Sequence, residues 1–69
     1  MKKHSLQEIL ALQPYEIVIV VNCRCVTSVI ILTNNNDNLT FELNELDFTL
    51  EELRKFQNEI PVTLIEFIV

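Results

Sequence analysis

The side chains with the clearest potential for chemistry are two cysteines and one histidine. In Cys23-Arg24-Cys25 an extended backbone places both thiols on the same side, where they could supply two soft ligands to a metal ion. A structural zinc site needs two further ligands, and His4 is the only residue with the usual nitrogen donor. We therefore predict no metal and no cofactor, and we expect the two thiols to be buried or half-buried and reduced.

The remaining residues do not indicate an enzyme. The chain contains no glycine, and both a phosphate-binding P-loop and a dinucleotide-binding fingerprint need backbone positions that only glycine can occupy. His4 lies near the N-terminus, where fraying would leave its imidazole solvated rather than held for acid–base catalysis. Carboxylate-pair chemistry needs two carboxylates in opposed environments within a cleft. The acidic residues here fall instead on a predicted strand face, a connection and an exposed helix start.

Negative charge is concentrated in the second half of the chain. Eight of the ten acidic residues follow Asn36, where Arg54 and Lys55 are the only basic residues. Nucleic acid and anionic membranes require Lys and Arg to replace counterions, so neither is an expected direct partner. The natural complement of this surface is a basic protein. The alternative is that these acidic residues only keep a small apolar domain soluble.

The segment between Tyr15 and Leu43 organises the predicted fold. Two apolar, β-branched runs predict a first strand at about 15–22 and a second at about 25–33. The polar residues 34–38 then predict a loop, because Asn and Asp hydrogen-bond the local backbone and accept a positive φ. Alternation in the following residues predicts a third strand with inward side chains Leu39, Phe41 and Leu43 and outward side chains Thr40, Glu42 and Asn44.

The turn between the first two strands is placed at Asn22-Cys23-Arg24, with Thr27-Ser28 as the alternative. Of the three residues Asn22, Cys23 and Arg24, only Asn22 is expected to accept a left-handed backbone easily. Residues 17–21 show no alternation of apolar and polar side chains. We therefore expect the first strand to be central in the sheet or covered on both faces.

Two capping boxes predict two helices. At 5–8 and at 49–52, a hydroxyl and a carboxylate three residues apart can each satisfy a backbone N–H at the other's position. Pro14 is expected to end the first helix and Pro61 the second. The apolar segment Val62–Val69 then resumes extended structure, either inserted centrally or as an exposed edge that pairs with another chain. We predict one α+β domain, residues 1–69, with a small antiparallel sheet of three to four strands and two helices in the order α-β-β-β-α-β.

Carboxylates combined with Asn donors and acceptors can also occupy a site built for phosphates and base edges, and so imitate nucleic acid. Over about residues 5–57 the layout consists of a short helix with Leu6 and Leu10, a strand opening with Tyr15, an apolar strand at Val29–Leu32, the loop Asn35-Asn36-Asp37, a third strand, Glu45 and an acidic helix start. This layout resembles that of the small phage-encoded type II-A anti-CRISPR proteins, which inhibit Cas9 by mimicking DNA at its PAM-reading site.

The resemblance implies a function and part of a site. In that family the loop between the second and third strands enters the PAM-interacting cleft with neighbouring acids and excludes target DNA. By position this implies Asn35, Asn36 and Asp37, with Asn38 beside them. Our leading hypothesis is a non-enzymatic inhibitor that binds a basic nucleic-acid channel of a nuclease such as Cas9. It would do so through Asn35, Asn36, Asp37, Asn38, Glu42, Glu45 and Asp47.

A second hypothesis belongs to a different class of function. The chain would be a self-associating, non-enzymatic adaptor or structural module that forms a homodimer through Val62–Val69. For both hypotheses the expected compartment is the cytoplasm, that of a bacterial host if the chain is phage-encoded, because no apolar run approaches the length of a membrane-spanning helix.

Overall fold

A computed structural model describes residues 2–68 and shows an α+β fold with a four-stranded sheet and two short helices. The predicted order α-β-β-β-α-β is confirmed. The elements in chain order are α1 (Leu6–Ala11), β1 (Pro14–Asn22), β2 (Cys25–Thr33), β3 (Asn38–Glu42), a 3₁₀ turn (Leu43–Glu45), α2 (Leu50–Arg54) and β4 (Val62–Phe67).

The sheet has the strand order β3-β2-β1-β4. β1 pairs with β2 and β2 with β3 in antiparallel fashion, whereas β4 joins the other side of β1 in parallel. The expectation that β1 is central is confirmed. The last strand was expected either in the centre of the sheet or at its edge, and β4 lies at the edge. Val69, the last residue of the predicted segment, lies outside the described residues.

The core lies on one face of the sheet. Ile17 and Ile19 of β1 alternate with Val18, so their side chains share a face, and pairing places Val29 and Ile31 of β2 beside them. All four are almost completely buried. The side chains that cover this face come from α1, from α2 and from the segment before α2, and they are Ile9, Leu53 and Leu46.

The third strand follows its predicted alternation only in part. Register places Leu39 and Phe41 opposite Ile31 and Val29, on the core face as predicted. Phe41 packs against the core, but Leu39 remains 36% exposed and Leu43, in the 3₁₀ turn, 41% exposed. The reason is position: β3 is an edge strand of five residues, so its outer side has no neighbouring strand within the described chain.

The two predicted capping boxes differ in outcome. For α2 both reciprocal bonds are present between Thr49 and Glu52, as predicted. For α1 the Ser5 hydroxyl accepts from the Glu8 N–H at 3.3 Å, but the Glu8 carboxylate does not return to the Ser5 backbone. It lies instead 3.3 Å from His4 Nδ1.

The end of the second helix was predicted wrongly. α2 ends at Arg54 rather than near Pro61, and the chain continues to Ile60 as a series of turns. The N–H groups of Phe56 and Gln57 each donate to the carbonyl three residues earlier, so the helix tightens and does not propagate. Leu53, the one fully buried residue of α2, anchors it on the sheet.

The first turn lies where predicted, but its backbone does not behave as predicted. Cys23 and Arg24 connect β1 to β2 with φ values of 52° and 68°, whereas Asn22 remains in the strand. A two-residue hairpin with both φ values positive is a type I′ turn, which matches the twist of antiparallel strands. Strand pairing on both sides of the turn therefore imposes the left-handed backbone on two side chains that do not favour it.

Candidate partner-binding edge

The seven residues predicted to bind a partner all belong to the edge formed by β3 and its two ends. Asn35, Asn36 and Asp37 lie in the loop before β3, and Asn38 opens the strand. Glu42 closes the strand, Glu45 ends the 3₁₀ turn and Asp47 follows it. The residues thus form two groups at opposite ends of β3. Four residue steps of an extended strand separate the groups by roughly 14 Å.

The loop group is fixed by backbone hydrogen bonds. The Thr33 N–H donates to the Asp37 carbonyl at 3.1 Å, and the Asn36 N–H donates to the Thr33 carbonyl at 3.1 Å. Asn36 has a φ of 63°, which confirms that an Asn here takes the conformation for which glycine is usually needed. Because backbone groups close this loop, the exposed side chains of Asn35 and Asp37 remain available to a partner.

The carboxylate group is fixed by its own side chains. The Glu42 N–H donates to Glu45 Oε2 at 3.0 Å, and the Glu42 carboxylate accepts from the N–H of Glu45, which closes a reciprocal capping box. This box was not predicted. The sequence does contain a signal for it, a Glu at position 42 and a second Glu three residues later. Capping boxes, however, usually have Ser or Thr at the first position. Each carboxylate keeps further oxygen lone pairs for a partner.

Asp47 is positioned by the N-terminal segment. The His4 N–H donates to the Glu45 carbonyl at 2.8 Å, and the Asp47 N–H donates to the His4 carbonyl at 2.8 Å. The His4 ring also packs edge-on against Phe41, with ring centroids 4.9 Å apart. The expectation that His4 frays was therefore wrong, because two backbone hydrogen bonds hold it against the residues after β3. Its side chain nevertheless remains 42% exposed to solvent.

The same segment lowers the pKa of Glu8 in the first turn of α1. The hydrogen bond from His4 is the largest cause, and a backbone hydrogen bond from Ser5 and the charge of Lys2 add to it. Burial opposes the shift.

Within the described residues, the carboxylates of the site form no salt bridge; the one salt bridge of residues 2–68 joins His4 and Glu8 at 3.3 Å. Glu51 and Lys55 have the favourable i, i+4 spacing on a helix but likewise form no salt bridge. Glu42, at the end of β3, is exposed, so its negative charge is available to a positively charged partner without first breaking an intramolecular salt bridge.

An apolar depression that sequence reasoning missed lies beside the carboxylate group. It has a volume of about 630 Å³ and opens to solvent between the start of β2 and the start of α2. The exposed Leu43 connects it with the 3₁₀ turn, and Glu51 stands at its rim. Its lining residues are Cys25, Val26, Leu43, Phe48, Thr49, Leu50 and Glu51.

The two cysteines are placed differently from the expectation. Cys23 and Cys25 are both free thiols and both exposed, because Cys23 lies in the surface turn between β1 and β2 and Cys25 is the first residue of β2. Cys23 Sγ lies 3.4 Å from the Asn22 side-chain oxygen. Among residues 2–68, no group of three or more His, Cys, Asp or Glu side chains is arranged to hold a metal ion.

None of the helices in the described chain has the length and apolar character needed to cross a membrane. Comparison of the chain with protein-family models, with curated proteins and with solved structures finds no match.

Proposed function

We propose that the chain is a small, non-enzymatic inhibitor that binds a basic nucleic-acid-binding surface of another protein through its β3 edge. The observation that carries the proposal is the reciprocal capping of Glu42 and Glu45. It holds two carboxylates in fixed positions on the edge, and neither has a salt-bridge partner within residues 2–68. Preorganised charges lose less conformational entropy on binding than mobile ones, so they contribute more to affinity.

The spacing of the two groups supports mimicry of nucleic acid. Successive phosphates of one DNA strand advance about 3.4 Å along the helix axis, so roughly 14 Å corresponds to about four base-pair steps. Asn38 stands at one end of this distance and Glu42 at the other, and Asp37 directly precedes Asn38. The exposed amides of Asn35 and Asn38 supply donors and acceptors that can imitate those of base edges.

The apolar depression offers a site for a packed apolar anchor, which the acidic edge alone does not have. Exposed charges give specificity and fast association, but most binding energy comes from a few well-packed anchors near the centre of an interface. Leu43 and Phe48 line a depression directly after the β3 edge. An apolar side chain of the partner inserted there would be surrounded by the carboxylates that meet the partner's Lys and Arg side chains.

The target class that fits this surface is a nuclease with a positively charged DNA channel, and Cas9 is the first candidate. Support for that choice is the loop Asn35-Asn36-Asp37 between β2 and β3, which corresponds in place to the loop that the resembled anti-CRISPR family inserts into the PAM-reading site. Binding there would exclude target DNA by competition and would require no chemistry from the chain itself.

The experiment is affinity capture from a nuclease-treated bacterial lysate, followed by mass spectrometry. The bait is compared with a Glu42→Gln, Glu45→Gln double variant and with a charge-matched control, Glu59→Gln with Glu66→Gln. We expect a nucleic-acid-binding protein on the unmodified bait and on the control, released by high salt and absent from the Glu42, Glu45 variant. Equal capture by all three baits, or capture of no such protein, would refute the proposal.

A further inference from the structure

The edge of the sheet opposite β3 has unsatisfied hydrogen-bonding groups. The N–H groups of Ile17 and Cys23 donate to the carbonyls of Pro61 and Phe67, both at 3.0 Å. In a parallel ladder alternate residues face the neighbouring strand, so the odd-numbered residues of β4 are turned towards β1. The backbone N–H and C=O groups of Val62, Leu64 and Glu66 are therefore directed outwards, where no strand of residues 2–68 covers them.

β4 and the residue after it also carry the three most exposed large apolar side chains of the described structure. Leu64 is 51% exposed, Phe67 54% and Ile68 80%, and Ile65 is 40% exposed. Natural proteins usually protect edge strands with Lys, Pro, bulges or short length. β4 contains no Lys or Pro and pairs with β1 without a register shift. The opposite edge, by contrast, is a five-residue strand that ends in Glu42.

We propose that β4 pairs antiparallel with β4 of a second copy of this chain, across a two-fold axis at Leu64. In this register the outward backbone groups of Leu64 meet those of the second Leu64, and those of Val62 meet those of Glu66. Every outward N–H and C=O of β4 between Val62 and Glu66 then gains a partner. A two-fold arrangement is closed, so association stops at the dimer.

The charge on β4 does not oppose a second copy in this register. Glu66 is the only charged residue of β4, and it faces Val62 of the other copy rather than the second Glu66. The two Glu66 residues lie four residue steps apart, roughly 14 Å, which exceeds the screening length of about 8 Å at physiological salt. The other face of the strand pairs Ile65 with Thr63, so neither face brings like charges together.

The size of the contact indicates a weak, reversible dimer. A single pair of six-residue edge strands belongs with interfaces of less than about 1,200 Å² in total, which are typically transient. The dimer would contain one continuous sheet with a β3 edge at each end, separated by seven strand spacings of about 4.8 Å, roughly 34 Å. If the proposed function holds, the dimer presents two binding edges at once and gains avidity for a partner with two sites.

The test is sedimentation equilibrium of the chain alone, from about 10 µM to about 1 mM, the range expected for a weak complex. The variant Leu64→Lys places two positive charges at the two-fold axis. Its matched control is Leu39→Lys, which changes an exposed leucine on the opposite edge strand. We expect the unmodified chain and the control to form a dimer as concentration rises and Leu64→Lys to remain monomeric. A monomer at every concentration for the unmodified chain, or loss of the dimer in the control, would overturn the proposal.

Crosslinking tests the position of the interface without a charged substitution in β4. In a background with Cys23→Ser and Cys25→Ser, Leu64→Cys should be joined to its copy by a short bis-maleimide, because both side chains lie at the axis. Thr40→Cys on β3 should not be joined. Equal crosslinking at both positions would contradict the assignment of the interface to β4. These measurements contain no binding partner, so their outcome is independent of the proposed inhibitory function.

Discussion

Glu42 and Glu45 cap each other across the 3₁₀ turn that follows β3, with 3.0 Å between the Glu42 nitrogen and Glu45 Oε2. The contact satisfies two backbone N–H groups at the end of an edge strand, where the sheet does not provide acceptors. The same two side chains carry negative charges that no cation within residues 2–68 neutralises through a salt bridge. Structure and recognition therefore depend on different properties of one pair: hydrogen-bond acceptance and charge.

Those two properties can be separated by substitution. In Glu42→Gln with Glu45→Gln, the amide oxygens can accept the same backbone bonds, so we expect the free energy of unfolding to stay within about 0.5 kcal/mol of the unmodified chain. In Glu42→Ala with Glu45→Ala both caps are lost, and the expected decrease is about 1 kcal/mol. Urea unfolding followed by circular dichroism measures both changes.

The control for this pair is Glu59→Ala, an exposed glutamate whose substitution removes charge without removing a cap. We expect it to leave the urea midpoint nearly unchanged. If the Gln pair were as destabilising as the Ala pair, the caps would depend on the negative charge. The Gln variant would then change stability as well as partner binding, and it could not be used to test binding alone.

The link between His4 and Glu8 predicts a titration. The hydrogen bond from His4 holds the pKa of Glu8 below its ordinary value of 4.5. Because the folded-state pKa is lowered, the ionised carboxylate favours the folded state above the ordinary value, and this contribution is lost as the pH falls through the lowered pKa. In His4→Ala we expect the Glu8 pKa to rise towards its ordinary value, measured by carbon-13 NMR of the side-chain carboxyl.

The titration also checks how the N-terminal segment is held. A Glu8 pKa that is the same with and without the imidazole would show that the His4 contact does not exist in solution. The position of Asp47, whose N–H donates to the His4 carbonyl, would then need another explanation.

The β1–β2 turn predicts a stabilising substitution. Cys23 and Arg24 both have positive φ values, and a non-glycine residue in the left-handed region costs roughly 1–2 kcal/mol. Asn-Gly is the preferred pair for a type I′ turn. We therefore expect Cys23→Asn with Arg24→Gly to raise the free energy of unfolding by about 1 kcal/mol, measured by urea denaturation.

Asn36→Gly is the matched control for the turn, because Asn already accepts a positive φ and has little strain to lose. We expect its urea midpoint to change much less. A turn variant that is less stable than the unmodified chain would mean that the side chains of Cys23 or Arg24 make contributions larger than the strain they cause.

The sequence was sufficient for features that depend on local patterns. The β-branched runs predicted β2 at 25–33, as observed, and β1 to within one residue. The Asn-rich segment predicted the loop between β2 and β3, and Asn36 in that loop has a positive φ. The capping box that begins at Thr49 predicted the start of α2. These features are set by alternation, turn chemistry and capping, each of which acts over a few residues.

What could not be predicted depends on residues far apart in the chain. The place of β4 is set by the crossover that carries the chain from β3 past β2 and β1, and an apolar strand fits a central or an edge position equally well. The order of the N-terminal segment depends on contacts of His4 with Glu45 and Phe41, some 40 residues away. Neither the place of β4 nor the order of the N-terminal segment produces a periodic pattern in the sequence. The predicted site residues were brought to one edge, but the adjoining depression required α2 to be placed against β2.

We propose that the β3 edge occupies the site on its partner where nucleic acid would bind. Competition between the chain and fluorescently labelled target DNA, on the captured partner or on guide-loaded Cas9, tests this binding mode. We predict mutually exclusive binding, with the DNA displaced by the unmodified chain and by Glu59→Gln with Glu66→Gln, but not by Glu42→Gln with Glu45→Gln. A ternary complex in which DNA affinity is unchanged by saturating amounts of the chain would show that the chain binds elsewhere.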